Sequence, residues 1–263
     1  MEITWLGTAS ILIKSNDTVL LFDPFFSSFR NDGVSFPMEI LPQVQAIFIT
    51  HPHFDHFCNM NSVLKSSAAS VYVCKKGILI AEQHGLDGSR FCNIKNGDIF
   101  VIGNIRIRAF QSCHCHFDKT TVRETLHKAL KPEHLTQALQ IEKLNRQYHI
   151  DAKEDVLAFE IQAEGKTLFL MGTANLREDI SYPKHMDLLI FPYQGRNDMA
   201  EYSLSLLERL QPKAVMLDHF DDAFPPVSSA MDCDRIIRLA GEHFPDMNIF
   251  QPIPFKVYRF FMY

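Results

Sequence analysis

The chain has 263 residues, 46% hydrophobic and 22% charged, and a formal net charge of -5. That length buries a sizeable core in one large domain or two small ones, and the composition is ordinary for a soluble globular protein. An acidic balance without a basic stripe speaks against RNA or DNA as a partner, and no run of 18 or so apolar residues offers a membrane span.

The opening MEITWLGTASILIK has no basic segment followed by an apolar stretch and a small-residue cleavage site, so it reads as a first strand and not as a leader peptide. Strands are predicted over Ile3–Leu6, Ser10–Lys14 and Val19–Asp23, and over the wholly apolar run Ala46–Thr50. A short helix at Asn59–Ser66, a strand at Val71–Cys74 and a helix at Gly77–His84 follow. Ile99–Ile102 and Ile105–Phe110 read as a hairpin turned by Gly103-Asn104. The segment from about Lys119 to Lys153 is polar and helical in pattern, with Pro132 suited to a first helical turn. It reads as an insertion between two sheet halves, either a plain surface helix pair or a lid or dimer contact. Strands then resume at Val156–Ala163, Thr167–Met171, Leu188–Tyr193 and Ala214–Asp218, with helices at Met199–Leu210 and Ser228–Phe244. Each half is strands followed by helices, which implies two sheets packed face to face with helices outside. The six cysteines, Cys58, Cys74, Cys92, Cys113, Cys115 and Cys233, include no CxxC pair, so a reduced, cytoplasmic protein is expected.

Residues 51–56 read HPHFDH. His51, His53, Asp55 and His56 are zinc-preferring donors, imidazole foremost. They follow a buried-strand pattern and so fall in a loop at a strand end, where ligands from separate segments can converge. Extended alternation would point His51 and His53 to one side, leaving Asp55 and His56 to turn toward a neighbouring point. A chance histidine-rich surface loop fits this spacing poorly.

The HxHxDH motif after a strand, with Trp5-Leu6-Gly7-Thr8-Ala9-Ser10 and Phe22-Asp23-Pro24-Phe25, resembles the metallo-β-lactamase fold hydrolases, and among them the branch that includes ascorbate-6-phosphate lactonase. The resemblance spans most of the chain outside the helical insertion. It implies an α+β, four-layer αββα sandwich, a single domain over 1–263 with the insertion at about 119–153. It also implies two further histidine ligands. One is His114, directly after the strand ending at Gln111, with His116 on the same side left open as the alternative or as an outer neighbour. The other is His219, after Ala214–Asp218. On this reading His51, His53 and His114 hold one zinc ion, Asp55, His56 and His219 hold a second, and Asp55 and His219 take part in catalysis. A separate thiolate site at Cys113 and Cys115 is the rival, weakened by the lack of a second cysteine pair.

The sequence departs from the family at one place. Where the family has an aspartate between the metals, in Gly-Asp-Thr, this chain has Gly172-Thr173-Ala174-Asn175. Two close cations repel, and a bridging carboxylate offsets that repulsion. Thr173 therefore leaves three outcomes: a weak second metal, a bridge supplied by a bound anion, or binding without catalysis. Asn175 offers a weak substitute through its amide oxygen. Diiron oxidases of the fold resemble HxExDH, and His53 at the second position favours zinc hydrolysis instead.

Asp23 reads as a partner of a ligand histidine or as a turn former before Pro24. Arg196 reads as a solvated arginine or as a contact for an anionic substrate, and Phe25, Phe26 and Phe29 as a pocket wall or a sheet-edge cover. The expected activity is metal-dependent hydrolysis of a small, anionic ester, lactone or phosphodiester, with a metal-held hydroxide as nucleophile. A non-catalytic metal sensor and an RNA-processing nuclease are the alternatives. No nucleic-acid or membrane partner is expected, and a homo-oligomer stays open.

Overall fold

The computed structural model describes residues 1–29 and 35–259. In the first half, β1 (Glu2–Gly7), β2 (Ser10–Ser15) and β3 (Thr18–Phe22) form an antiparallel meander. β4 (Ala46–Phe48), β5 (Ser70–Val73) and β6 (Phe91–Asn93) then add in parallel to β3. The second half repeats the plan. β7 (Ile99–Ile102), β8 (Ile105–Gln111), β9 (Leu157–Ala163) and β10 (Lys166–Met171) are antiparallel. β11 (Leu188–Pro192), β12 (Ala214–Asp218) and β13 (Asn248–Phe250) extend β10 in parallel. β14 (Val257–Arg259) returns to pair with β1, giving two seven-stranded sheets.

The parallel strands explain the apolar runs. Every residue of β3, β4 and β11 is buried, as expected where both faces of a sheet are covered. Between the sheets Phe22, Phe48 and Phe159 meet with ring centroids 5.4–5.7 Å apart, and Phe48 also stacks on Tyr72 at 4.7 Å. Among the described residues, seven α-helices flank the sheets. α1 (Phe54–Phe57), α2 (Met60–Ser66) and α3 (Lys75–Gln83) lie in the first half. α4 (Lys119–Ala129) and α5 (Leu135–Gln147) make up the insertion. α6 (Met199–Leu210) buries Met199, Ser203, Leu206 and Leu210 at helical spacing, and α7 (Cys233–His243) buries Cys233, Ile236 and Ala240. This is the α+β sandwich of two sheets with helices outside that the sequence implied.

The differences are local. The helix expected from Ser228 begins only at Cys233, because Ser228 is used in a turn: its hydroxyl accepts from the Phe224 N–H at 2.9 Å and donates to Asp222. Asp232 caps the helix start by accepting from the Asp234 N–H. The histidine cluster is not wholly a loop, since Asp55 and His56 sit on the helical turn α1. The short strands β6, β13 and β14 went unread.

Phe48 touches aromatic rings from both sheets, so Phe48→Ala is expected to cost about 3–5 kcal/mol through lost contacts and a cavity. A urea midpoint unchanged from wild type would show that the inter-sheet seam does not depend on it.

Candidate metal centre

The carboxyl-terminal ends of β3, β4, β8, β10 and β12 deliver the site, the place where open sheets present ligands. Thr50, two residues past β4 and wholly buried, is its hinge. Its N–H donates to Asp23 Oδ1 at 2.8 Å and its hydroxyl donates to Asp23 Oδ2 at 2.6 Å. With that proton committed, Thr50 Oγ1 accepts from His51 Nδ1 at 3.1 Å. Asp23 Oδ2 also lies 2.9 Å from His56 Nδ1. His114 Nδ1 meets the Cys115 carbonyl, which can only accept, at 2.8 Å. In His51, His56 and His114 the outward nitrogen thus carries the proton, and Nε2 is left with its lone pair free for a cation. Asp23 is therefore a support for ligand histidines as well as a turn residue.

The donor atoms of His51, His53 and His114 lie within 4.8 Å of one another, and so do those of Asp55, His56 and His219. The structure brings together the six residues singled out in the sequence. Ring centroids are 4.8 Å apart for His51–His53, 4.7 Å for His53–His114 and 5.2 Å for His51–His114. His51 and His56, at 4.0 Å, join the two groups. His219 Nε2 stands 3.2 Å from Asp55 Oδ2.

Electrostatics suit a cation. Burial pushes His51 well below the ordinary histidine range and His53 down to about 3, with neighbouring imidazoles adding to the effect. Burial also lowers His114, against the opposing bond to the Cys115 carbonyl. Neutral imidazoles are the form that ligates. Burial alone would raise Asp55, but His56 and the His219 hydrogen bond and charge hold it well below the carboxylate range. His219 shows the converse: burial opposes its charge, yet Asp55, Asp218 and Asp221 push it up to about 9. Asp218 is raised well above the usual range by burial, and its Oδ1 and His219 Nδ1 have no hydrogen-bond partner among the described residues. Such orphaned atoms are costly; a cation would have to displace the His219 proton, which leaves that ring neutral and able to ligate. The donor set fits one or two divalent metal ions.

Other expectations fare differently. His116 is exposed, and its carbonyl accepts from Arg196, so it does not join the cluster. Arg196 is tied to Asp198 by two bonds of 2.8 and 2.9 Å and lies over the Tyr202 ring at 4.5 Å, so its guanidinium is not held out for a substrate. The Asn175 amide oxygen accepts from Tyr202 and the Leu176 N–H, while its NH2 donates to the His114 carbonyl; it supports the His114 loop and is turned away from a ligand role. Thr173 Oγ1 accepts from the Cys115 N–H at 3.0 Å. Burial raises the Cys113 thiol and pushes Cys115 up to about 11, which keeps both protonated and argues against a thiolate site. Phe25 and Phe29 both pack on Phe224, at 5.8 and 6.0 Å, beside Phe54 of α1; Phe26 turns away to Phe36.

Sequence reasoning missed Thr50 and Gly172. A Cβ on Gly172 would lie 2.3 Å from Thr50 Cβ and 2.5 Å from its Oγ1. A polar residue closing the apolar run AIFIT was the available signal, since a buried hydroxyl demands a partner.

The two mixed sheets with flanking helices are the metallo-β-lactamase fold. The family model of the Metallo-beta-lactamase superfamily matches residues 3–109. A UPF0173 protein from Pyrococcus furiosus is 32% identical over 114 residues, which is 43% of this chain and 50% of that relative. A UPF0173 metal-dependent hydrolase from Staphylococcus aureus is 26% identical over 86% of this chain and 87% of its own length. Among solved structures, Igni18, a metallo hydrolase from the archaeon Ignicoccus hospitalis, superimposes with a TM-score of 0.66 at 15% identity and covers 98% of both chains. The match over residues 3–109 and the superposition on Igni18 agree with the resemblance to the metallo-β-lactamase fold hydrolases that the motif carries.

Two outcomes test the site. Gly172→Ala has no space beside Thr50 and is expected to displace it, lowering stability by about 1–3 kcal/mol and weakening metal binding; unchanged zinc affinity by competition titration would refute the Thr50 hinge. The second concerns pH. His51, His53 and His114 are neutral when folded and take up protons near pH 6.5 when unfolded, so stability of chelator-treated protein should fall as pH drops below about 6.5, by about 1.4 kcal/mol per pH unit for each histidine. His219, raised to about 9, acts with the opposite sign: its contribution is full below about 6.5 and is lost as pH rises through about 9. His53→Gln should flatten the acid limb of urea midpoints by one proton, and an unaltered slope would count against this assignment.

Proposed function

We propose that the protein is a zinc-dependent hydrolase of a small, anionic ester, lactone or phosphodiester, acting in the cytoplasm. The observation that carries this reading is the convergence of three imidazoles held neutral, His51, His53 and His114, beside a second group containing the ionised Asp55. His51, His53 and His114 would hold one ion and Asp55, His56 and His219 the other. A divalent ion there supplies Lewis acidity and brings the pKa of water near neutrality.

The chain's own residues do the rest. Asp23 and Thr50 fix the rings of His51 and His56. Asp55 has one oxygen 3.2 Å from His219 Nε2 and the other 3.9 Å from His56 Nε2, and being ionised it accepts a hydrogen bond from the attacking water and sets its direction. His219 holds Asp55 from the opposite side, itself fixed by donating its backbone N–H to the Thr8 carbonyl at 2.8 Å. Phe25, Phe54 and Phe224 exclude water beside α1. A cavity of about 400 Å³ lies next to them, lined by Ser28, Phe29, Gln137, Gln140, Pro225 and Pro226, which suits a small molecule. The six cysteines are all free, which agrees with a reducing cytoplasm.

Thr173 favours a second reading, a metal-binding sensor without turnover. Its hydroxyl is committed to the Cys115 N–H, so it lends no negative charge between the two ligand groups. In the hydrolase reading a second ion would be held weakly, or would draw the missing negative charge from an anionic substrate.

Metal analysis with a screen on carboxylic ester, lactone and phosphodiester substrates decides between them. Turnover abolished by chelator and restored by zinc is expected; a zinc-loaded protein inert on all three classes would favour the sensor. Thr173→Asp should tighten the second metal at least tenfold, because an added carboxylate would offset the repulsion between two cations. A stoichiometry fixed at one ion in that variant would end the account of the missing bridge.

A further inference from the structure

Of the twelve large apolar side chains exposed among the described residues, six fall between 117 and 139: Phe117, Val122, Leu126, Leu130, Leu135 and Leu139. Val122 and Leu126 share one face of α4, which Leu130 extends at the helix end, and Leu135 and Leu139 share one face of α5. α5 turns a different face inward, with Ile141 and Leu144 packed on the core. α4 has no buried residue at all. An 11-residue helix is marginal on its own in water, and a row of exposed leucines on it marks a surface that meets something apolar.

Charge selects the occupant. Residues 119–147 carry Lys119, Arg123, Lys128, Lys131, Lys143 and Arg146 against Glu124, Glu133 and Glu142. The helix pair is thus +3 within a chain of -5, leaving -8 on the rest. A second copy docked face to face about a two-fold axis would set the same basic rows against each other. An anionic surface with an apolar interior matches both features. The pair also borders the proposed substrate cavity: Lys128 Nζ bonds Ser229 Oγ at 2.9 Å, and Gln137 and Gln140 line the cavity opposite Pro225 and Pro226.

We propose that α4 and α5 form an interfacial docking face that lays the protein on a bilayer surface containing anionic lipid. The leucines enter the boundary between headgroups and acyl chains, and Lys119, Arg123 and Lys131 meet the headgroups. No described helix is long and apolar enough to cross a membrane, and lying on one requires no span. The proposal revises the expectation of no membrane partner and is independent of the metal chemistry.

The test is co-sedimentation of the full chain with vesicles of phosphatidylcholine alone and of phosphatidylcholine mixed equally with phosphatidylglycerol. Binding to the mixed vesicles, weak binding to the neutral ones and loss at high salt are expected. The double variant Leu126→Ser, Leu130→Ser should lower partitioning at least tenfold, and Arg123→Gln and Lys131→Gln about fivefold each. All four side chains are exposed, so these variants should keep the wild-type thermal midpoint, and the two charge variants serve as the reading if the double variant does not. No binding to mixed vesicles, or binding indifferent to the charge variants, would overturn the proposal. So would a wild-type dimer that the double variant converts to monomer, which would assign the face to a second copy.

Discussion

The buried pair Asp23–Thr50 is the constraint on which the rest of the site depends. A carboxylate at 1% exposure is tolerable only with its oxygens engaged, and Thr50 engages both, one through its backbone and one through its hydroxyl. Because the hydroxyl proton goes to Asp23, the oxygen can only accept from His51. Because Asp23 also meets His56, one carboxylate orients a ring in each ligand group. The Thr50 carbonyl accepts from the Leu157 N–H of β9 at 2.7 Å, which ties the metal-binding segment of one sheet to the other. The site is thereby built on the seam between the sheets and not on either alone.

Three of the eight non-glycine residues with positive φ among the described residues lie at the same seam. Thr8, Asp23 and His219 all have positive φ, at 48°, 44° and 53°. For a β-branched residue such as Thr8 that is costly, on the order of 1–3 kcal/mol. Each is held by long-range bonds: Thr8 N–H donates to Asp221, Asp23 N–H to the Phe48 carbonyl, and His219 N–H to the Thr8 carbonyl. A strand that ended in relaxed backbone would carry its side chain onward along the sheet. The left-handed turn instead swings Asp23 and His219 back over the strand ends, where the ligands meet.

What was legible in the sequence divides along physical lines. The HxHxDH segment was legible because its donors directly follow an apolar, strand-like run; His114 and His219 were legible only through the family resemblance, which expects a histidine after each of two later strands. Most strands were legible because β3, β4 and β11 are buried on both faces and read as continuous hydrophobics. β6, β13 and β14 were not, since three residues carry too little periodicity and their existence depends on partners far away in the chain. Arg196 and Asn175 were ambiguous for another reason. Their polar groups were visible, but their bonds to Asp198, Tyr202 and the His114 carbonyl, set by the fold, decide that they support loops. Gly172 could be read as part of a family motif, but its reason for being glycine, the approach to Thr50, exists only once the two sheets are packed.

The replacement of a bridging carboxylate by Thr173 does not leave the centre without negative charge. Asp23 lies against His56, and Asp221 acts on His219, while burial disfavours charge on Asp218. These carboxyls stand behind ligands and not between them. At an effective dielectric near 20, a unit charge moved from about 2 Å to about 5 Å from a cation loses more than half its attraction. Outer carboxylates therefore stabilise a cation in either group, yet they do little to separate two cations from each other, because screening that repulsion needs charge placed between them. Thr173, spent on the Cys115 N–H, cannot provide it. In the proposed hydrolase this arrangement of charge would favour one firmly held ion and a second whose occupancy depends on an accompanying anion, linking metal content to the charge of the proposed substrate.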